Sequence, residues 1–179
     1  MADDHEVLEL HFDSDSESLL SNYRRMITAA APSIGTAVDI GRPHISLTSS
    51  TGPSVKLLER QIRQLCAERT SFELTLPNLG IFHGQGKTFF LGVTPSTALL
   101  QFHAALHQLM ARGEIRQPAF IQPQLFVPHC TLATNLTDEQ LHDSIRALAK
   151  ITLPIRATAT SLRLVRYYPS TEVEHFPLG

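Results

Sequence analysis

Apolar and polar residues alternate from the start of the chain. In Val7-Leu8-Glu9-Leu10-His11-Phe12 the period of two predicts a strand. Ser14, with Glu17 three residues on, then opens an amphipathic helix carrying Leu19, Leu20, Tyr23, Met26 and Ile27 on one side. A strand beginning at Pro43 follows. Pro53 at a helix start leads Val55, Leu58, Ile62 and Leu65 at helical spacing, and Phe72-Glu73-Leu74-Thr75-Leu76 returns to strand alternation, so the first half reads βαβαβ. The second half repeats the order. Phe89 to Val93 reads as a strand, and Thr94-Pro95 opens a helix with Leu99, Phe102, Leu106 and Leu109 inward. Another strand ends near Ala133, and the capping box Thr137-x-x-Gln140 starts a helix with Leu141, Ile145 and Leu148. Ile151 to Ala159, Ser161 to Tyr167 and Glu172 to Phe176 read as closing strands.

One short pattern occurs at the same place in both halves. Pro43-His44-Ile45-Ser46-Leu47 returns 85 residues later as Pro128-His129-Cys130-Thr131-Leu132, and the next helix cap lies eight residues beyond each histidine, at Gly52 and at Thr137. On a strand, His44 and Ser46 share one face and Ile45 and Leu47 the other, and the second copy divides in the same way. The repetition predicts an approximate internal duplication over residues 7–78 and 87–179. It gives an α+β protein of two pseudo-symmetric βαβαβ lobes, each presenting its histidine strand to a central groove with helices outside. No compositional linker divides the halves, so residues 1–179 are expected to form a single domain.

Composition narrows the partners. The 179 residues are 42% hydrophobic, enough for a well-buried core, and the formal net charge is −2. Gripping a long duplex requires many Lys and Arg contacts to phosphates, so any nucleic acid is expected to be held by one end. Arg156, Arg163 and Arg166 could form a local basic rim, or simply be solvated strand residues. The first residues are acidic and polar, and no apolar run approaches the roughly 20 residues that span a bilayer. Cys66 and Cys130 stand in unrelated contexts and read as buried free thiols. The expectation is a soluble, cytoplasmic monomer that does not engage a membrane.

The paired motif also carries chemistry. Cleaving a phosphodiester without a metal needs a base for the incoming hydroxyl, an acid for the departing oxygen and donors for the non-bridging oxygens. Two histidines near neutral pH can hold opposite protonation states, and strands facing across a groove suit in-line displacement. His44 and His129 are the candidate catalytic residues, Ser46 and Thr131 the candidate phosphate donors. Phe82, Tyr167 and Tyr168 are candidates for stacking on a base, although core packing is the commoner fate of such residues.

With both motifs in view, the chain resembles the two-histidine phosphoesterase superfamily, which includes the 2′-5′ RNA ligase and RNA 2′,3′-cyclic phosphodiesterase enzymes. Its signature is His-hydrophobe-Ser/Thr, twice. Weaker matches are Leu79-Gly80-Ile81-Phe82, Leu100-x-x-His103-Ala-Ala-Leu106 and the ending His175-Phe176-Pro177-Leu178-Gly179. The resemblance implies a bilobal fold with antiparallel sheets lining a central cleft, no metal and no nucleotide cofactor. It also implies hydrolysis of 2′,3′-cyclic phosphates on RNA ends or small nucleotides, with His129 as base and His44 as acid. Run backwards, the same site gives ATP-independent 2′-5′ ligation. Ser46 stands where the family usually has Thr. The rivals are a nuclease trimming RNA 3′ ends with the same histidines, and a nucleotide-binding module without turnover.

Other features carry less. Gly86-Lys87-Thr88 resembles a phosphate-cradling loop, but the leading Gly80 is one residue too far away and a strand follows rather than a helix. Gly84-Gln85-Gly86 reads as a turn between strands. His103 and His107 lie one helical turn apart without an evident third ligand, so no metal site is assigned. His11, His83 and His175 stand alone, with His11 on a strand that could border the groove.

Overall fold

The computed structural model describes residues 5–34, 41–51, 54–84, 86–167 and 170–179. The expected helix start at Pro53, the cap at Gly52, the turn residue Gln85 and the stacking candidate Tyr168 lie outside them.

Among the described residues eight strands and four α-helices follow one another: β1 (His5–Phe12), α1 (Ser14–Ala30), β2 (His44–Thr51), α2 (Glu59–Ala67), β3 (Phe72–Leu76), β4 (Asn78–Phe82), β5 (Lys87–Gly92), α3 (Thr97–Arg112), β6 (His129–Leu136), α4 (Asp138–Ala147), β7 (Ile155–Tyr167) and β8 (Thr171–Pro177). Short 3₁₀ turns occupy Val55–Leu58 and Ala119–Ile121. The strands form two antiparallel sheets, as expected for a two-lobed α+β fold. The larger has the order β2-β1-β7-β3, with β8 pairing the second half of β7, and the smaller has the order β4-β5-β6. The larger sheet thus combines β1, β2 and β3 with the last two strands of the chain.

Both motif strands are edge strands, β2 of the larger sheet and β6 of the smaller, and they pack against each other. Their inward positions Ile45, Leu47, Cys130 and Leu132 are fully buried, as the alternation requires. The apolar faces of both sheets and the helices join in one connected core running from Leu8 and Leu10 through Phe102 and Leu106 to Leu132 and Leu164.

The element boundaries correct several expectations. Asp13, not Ser14, caps α1, its Oδ1 accepting from the Asp15 and Ser16 backbone N–H groups. Ser16 adds its own hydroxyl to Asp13 Oδ2 at 2.9 Å. Ser96, not Thr94, caps α3. The capping box Thr137/Gln140 is present on α4. The two strands expected on either side of Thr160 are one strand, because β7 carries a bulge there. His11 pairs Ser161 while Phe12 pairs Ala159, and the extra residue breaks the phase of the apolar alternation without ending the pairing.

Candidate active site

The two histidines are built alike. His44 Nδ1–H donates to the Arg42 carbonyl and His129 Nδ1–H to the Val127 carbonyl, each at 2.7 Å and each two residues back across a buried proline. A carbonyl can only accept, so the proton sits on Nδ1 and Nε2 of the neutral ring keeps the lone pair. The strands also bulge at the same motif position. On β2 the register steps from Glu9↔Ser46 to Leu8↔Thr48, leaving Leu47 over, and on β6 from Phe90↔Thr131 to Phe89↔Ala133, leaving Leu132 over. Each bulge leaves a fully buried leucine unpaired just beyond the candidate donor hydroxyl.

Two adjoining compartments of one cleft meet at these residues. His44, His129 and Thr131 line one of about 340 Å³ together with Thr88 and Thr134, whose hydroxyls are 3.1 Å apart. Ser46 and His129 line the other, of about 460 Å³, whose far wall is Phe120, Ile121, Leu125 and Phe126. His129, Phe82, Phe120 and Tyr167 border both. The four motif side chains and Phe82 therefore share one cleft. Among the described residues neither compartment is lined by Lys or Arg, and no group of three or more His, Cys, Asp or Glu side chains is arranged to hold a metal ion.

The surroundings of the two rings differ. His129 sits among aromatics: Phe82 meets it edge-on at 4.8 Å between ring centroids, Phe90 lies at 5.1 Å, and Phe82 and Phe90 stack at 4.3 Å. Gly80 makes room for this cluster, since a Cβ there would fall 2.4 Å from the Phe90 ring. His44 instead faces polar groups of β1. Glu9 is 3% exposed, and its Oε2 lies 3.5 Å from His44 Nδ1 and 3.0 Å from His11 Nε2, while its Oε1 accepts from the Tyr167 hydroxyl. Burial pushes the His44 imidazole below its ordinary range, and Glu9 and the Arg42 carbonyl oppose this without fully offsetting it. Burial pushes His129 down too, opposed by the Val127 carbonyl. For the Glu9 carboxyl burial acts upward, but His11, His44 and Tyr167 together bring it below the usual range.

Arg24 ties the two motifs together from behind. It is 7% exposed in the middle of α1, donating from Nε and Nη2 to the Thr131 carbonyl at 3.2 and 2.7 Å and from Nη1 to the Gly41 carbonyl at 2.6 Å. Beside it, burial raises the Cys130 thiol to about 11, which fits a thiol that stays protonated.

Sequence reasoning missed Glu9, Arg24, the threonine pair Thr88/Thr134 and the wall at 120–126. For Arg24 a signal existed, a charged residue on the apolar stripe of α1 between Leu20 and Ile27, whereas Glu9 takes the polar phase of its strand. The wall has no helical or strand period to reveal it. His103 and His107 have structural surroundings instead: His103 stacks on Phe126 with centroids 3.8 Å apart, and His107 Nε2 lies 3.3 Å from the Leu47 carbonyl.

Comparison with known proteins agrees with this architecture. Three solved structures align over nearly the full length of both chains. Escherichia coli LigT complexed with 3′-AMP does so at 17% identity, 98% coverage of each chain and a TM-score of 0.65. TT0787 of Thermus thermophilus gives 17%, 97% of each and 0.63. Kluyveromyces marxianus Usb1 with uridine monophosphate gives 14%, 98% of each and 0.51. No curated protein matches the sequence. The family model described as the 2′-5′ RNA ligase superfamily matches residues 29–171, spanning both histidine motifs, and the chain belongs to that family of two-histidine phosphoesterases.

Proposed function

We propose that this chain is a metal-independent phosphodiesterase that opens 2′,3′-cyclic phosphates on RNA ends or small nucleotides. The observation that carries this reading is the shared cleft. Two imidazoles, each pinned through Nδ1 and each with Nε2 left for proton transfer, border it together with a hydroxyl from either motif. In the proposed step His129 Nε2 takes a proton from water as the water oxygen attacks phosphorus. The ring P–O bond breaks, and the departing sugar oxygen takes the proton from His44 Nε2–H. Ser46 and Thr131 donate to the non-bridging oxygens. General acid and general base each supply about 10²–10⁴-fold in such reactions.

Family membership supports a phosphoesterase, and structural neighbours hold nucleoside monophosphates, 3′-AMP in LigT and uridine monophosphate in Usb1. The larger compartment, walled by Phe82, Phe120 and Phe126, suits a flat base, and the threonine-lined one suits a hydroxylated group. A lining without Lys or Arg, among the described residues, favours a substrate with one phosphate over a long polyanion. With an RNA 5′-hydroxyl in place of water as nucleophile, the same ring-opening step, with the 3′ oxygen leaving, gives 2′-5′ ligation by the same two histidines.

The test offers purified protein, in chelator, a nucleoside 2′,3′-cyclic monophosphate and a short RNA with the same terminus. Hydrolysis to a single monophosphate isomer, with turnover falling at least ~100-fold in His44→Ala and in His129→Ala, is the expected result. Unchanged turnover in either variant removes that residue from the mechanism, and no turnover of any cyclic diester by the unmodified protein removes the function.

A further inference from the structure

We propose that Glu9 is a positioning residue that biases His44 toward its protonated form, so that the two similar imidazoles take opposite roles. The inference rests on the acid and base reading above. In the β1–β2 ladder His11 stands opposite His44 and Glu9 opposite Ser46, so one short antiparallel pair brings two imidazoles, a carboxylate and a hydroxyl to a single face. The carboxylate is held on both oxygens. His11 Nε2–H donates to Oε2 at 3.0 Å and the Tyr167 hydroxyl to Oε1. His11 Nδ1 is buried with no hydrogen-bond partner among the described residues, so Glu9 is the one polar tie of that ring. Such a fixed carboxylate 3.5 Å from His44 Nδ1 stabilises an imidazolium by Coulombic attraction in a site that excludes most water.

The other groups around His44 do not supply this charge. Arg24 of α1 opposes protonation, and the Cys130 thiol of β6 is neutral. Arg163 of β7, which pairs Glu9 across the ladder, is bound to Glu172, and the Arg42 side chain is bound to Glu17. No carboxylate pairs with His129 among the described residues, and its neighbours there are Phe82 and Phe90. A carboxylate beside one histidine and aromatic rings beside the other is the asymmetry that separates acid from base.

The experiment follows the ring-proton NMR titrations of His44 and His129 in the full chain without substrate, assigned with His44→Ala and His129→Ala. In Glu9→Gln the His44 midpoint is expected to fall by about one pH unit while that of His129 stays within about 0.2, since an opposite charge at this range is worth about one to three units. Glu9→Asp, which keeps the charge but sets it one methylene back, should lower the His44 midpoint by about 0.3. Glu6→Gln should leave it unmoved, because Glu6 is equally buried on the opposite face of the same strand, where it binds Ser54, Val55 and Arg166. The inference is overturned by an unmoved His44 midpoint in folded Glu9→Gln, by the same result in Glu9→Asp where Glu9→Gln does not fold, or by an equal shift in Glu6→Gln. Because the readout needs no turnover, an inactive protein would count against the proposed function and leave this inference standing or falling on its own result.

Discussion

The strand that carries His44 and the strand that carries His129 are the same device in two settings. Each has a buried proline before the histidine, an Nδ1–H donating to a carbonyl two residues back at 2.7 Å, and a bulge at the leucine three residues on. The settings diverge at once. β2 borders β1, which supplies Glu9 and His11, whereas β6 borders β5, which supplies Phe90 with Phe82 beyond it. Local motif geometry fixes which ring nitrogen faces chemistry, and the neighbouring strand decides what that nitrogen's proton is worth. A duplicated motif therefore need not give a duplicated function.

The variant expected to perturb both sites most is Arg24→Ala. It removes the partner of the part-buried Thr131 and Gly41 carbonyls, and a loss of about 1–3 kcal/mol should appear in denaturant unfolding. A near-neutral result would mean that the two motifs hold together without the clamp. Acid sensitivity arises at the two candidate histidines, which burial holds below their ordinary range, and also beneath the cleft wall. Burial, with His107 beside it, holds the His103 imidazole at about 4 against an ordinary 6.5. Between those values the unfolded chain takes up a proton that the folded chain refuses, so stability falls as pH drops from about 6.5 toward about 4, by up to about 3 kcal/mol. Between about pH 7 and about pH 4.5 the unmodified protein should lose more stability than His103→Phe, read from unfolding midpoints; parallel curves would contradict the assignment.

Gly80→Ala sharpens the comparison from the His129 side. A Cβ at that position meets the Phe90 ring, so about 1–3 kcal/mol of stability and roughly tenfold of activity should be lost, with the His44 titration unchanged. A shifted His44 signal would show that the two settings are not independent. Ser46→Ala and Thr131→Val each remove one donor, and turnover of the cyclic diester should drop by about tenfold in both. A loss confined to one of them would place the phosphate at that motif alone. The smallest effect concerns the pH profile. The proposed base works only when neutral, so activity falls as pH drops through the His129 value. The proposed acid works only when protonated, so activity falls as pH rises through the His44 value. Burial lowers both, and kcat/KM should peak on the acid side of 6.5, whereas a peak above about pH 8 would contradict the pairing.

Much of this organisation was legible in the sequence because it depends on local rules. The alternation of His44-Ile45-Ser46-Leu47 fixes which residues are buried whatever the strand pairs with, and Thr137 with Gln140 caps a helix by contacts within one turn. What stayed hidden depends on pairing. Thr160 looked like a strand break because a bulge shifts the phase of alternation, and a bulge is defined only by the neighbouring strand. Glu9 reads as the outward residue of an alternating strand until β2 is laid against β1 and β7 covers it from the other side. Arg24 stands out on the apolar stripe of α1, but its acceptors lie 17 and 107 residues away, so what it binds is not legible. The repeated motif led to both histidines and both hydroxyls and the family resemblance agreed with it, but neither carried anything about the carboxylate that sets the two histidines apart.

Whether both imidazoles address one phosphorus atom is read by titrating the unmodified protein with a nucleoside 3′-monophosphate and following the ring protons of His44 and His129 together. A single one-to-one isotherm that moves both signals with the same midpoint is the predicted result. A response from one histidine alone, or two isotherms of different affinity, would contradict it.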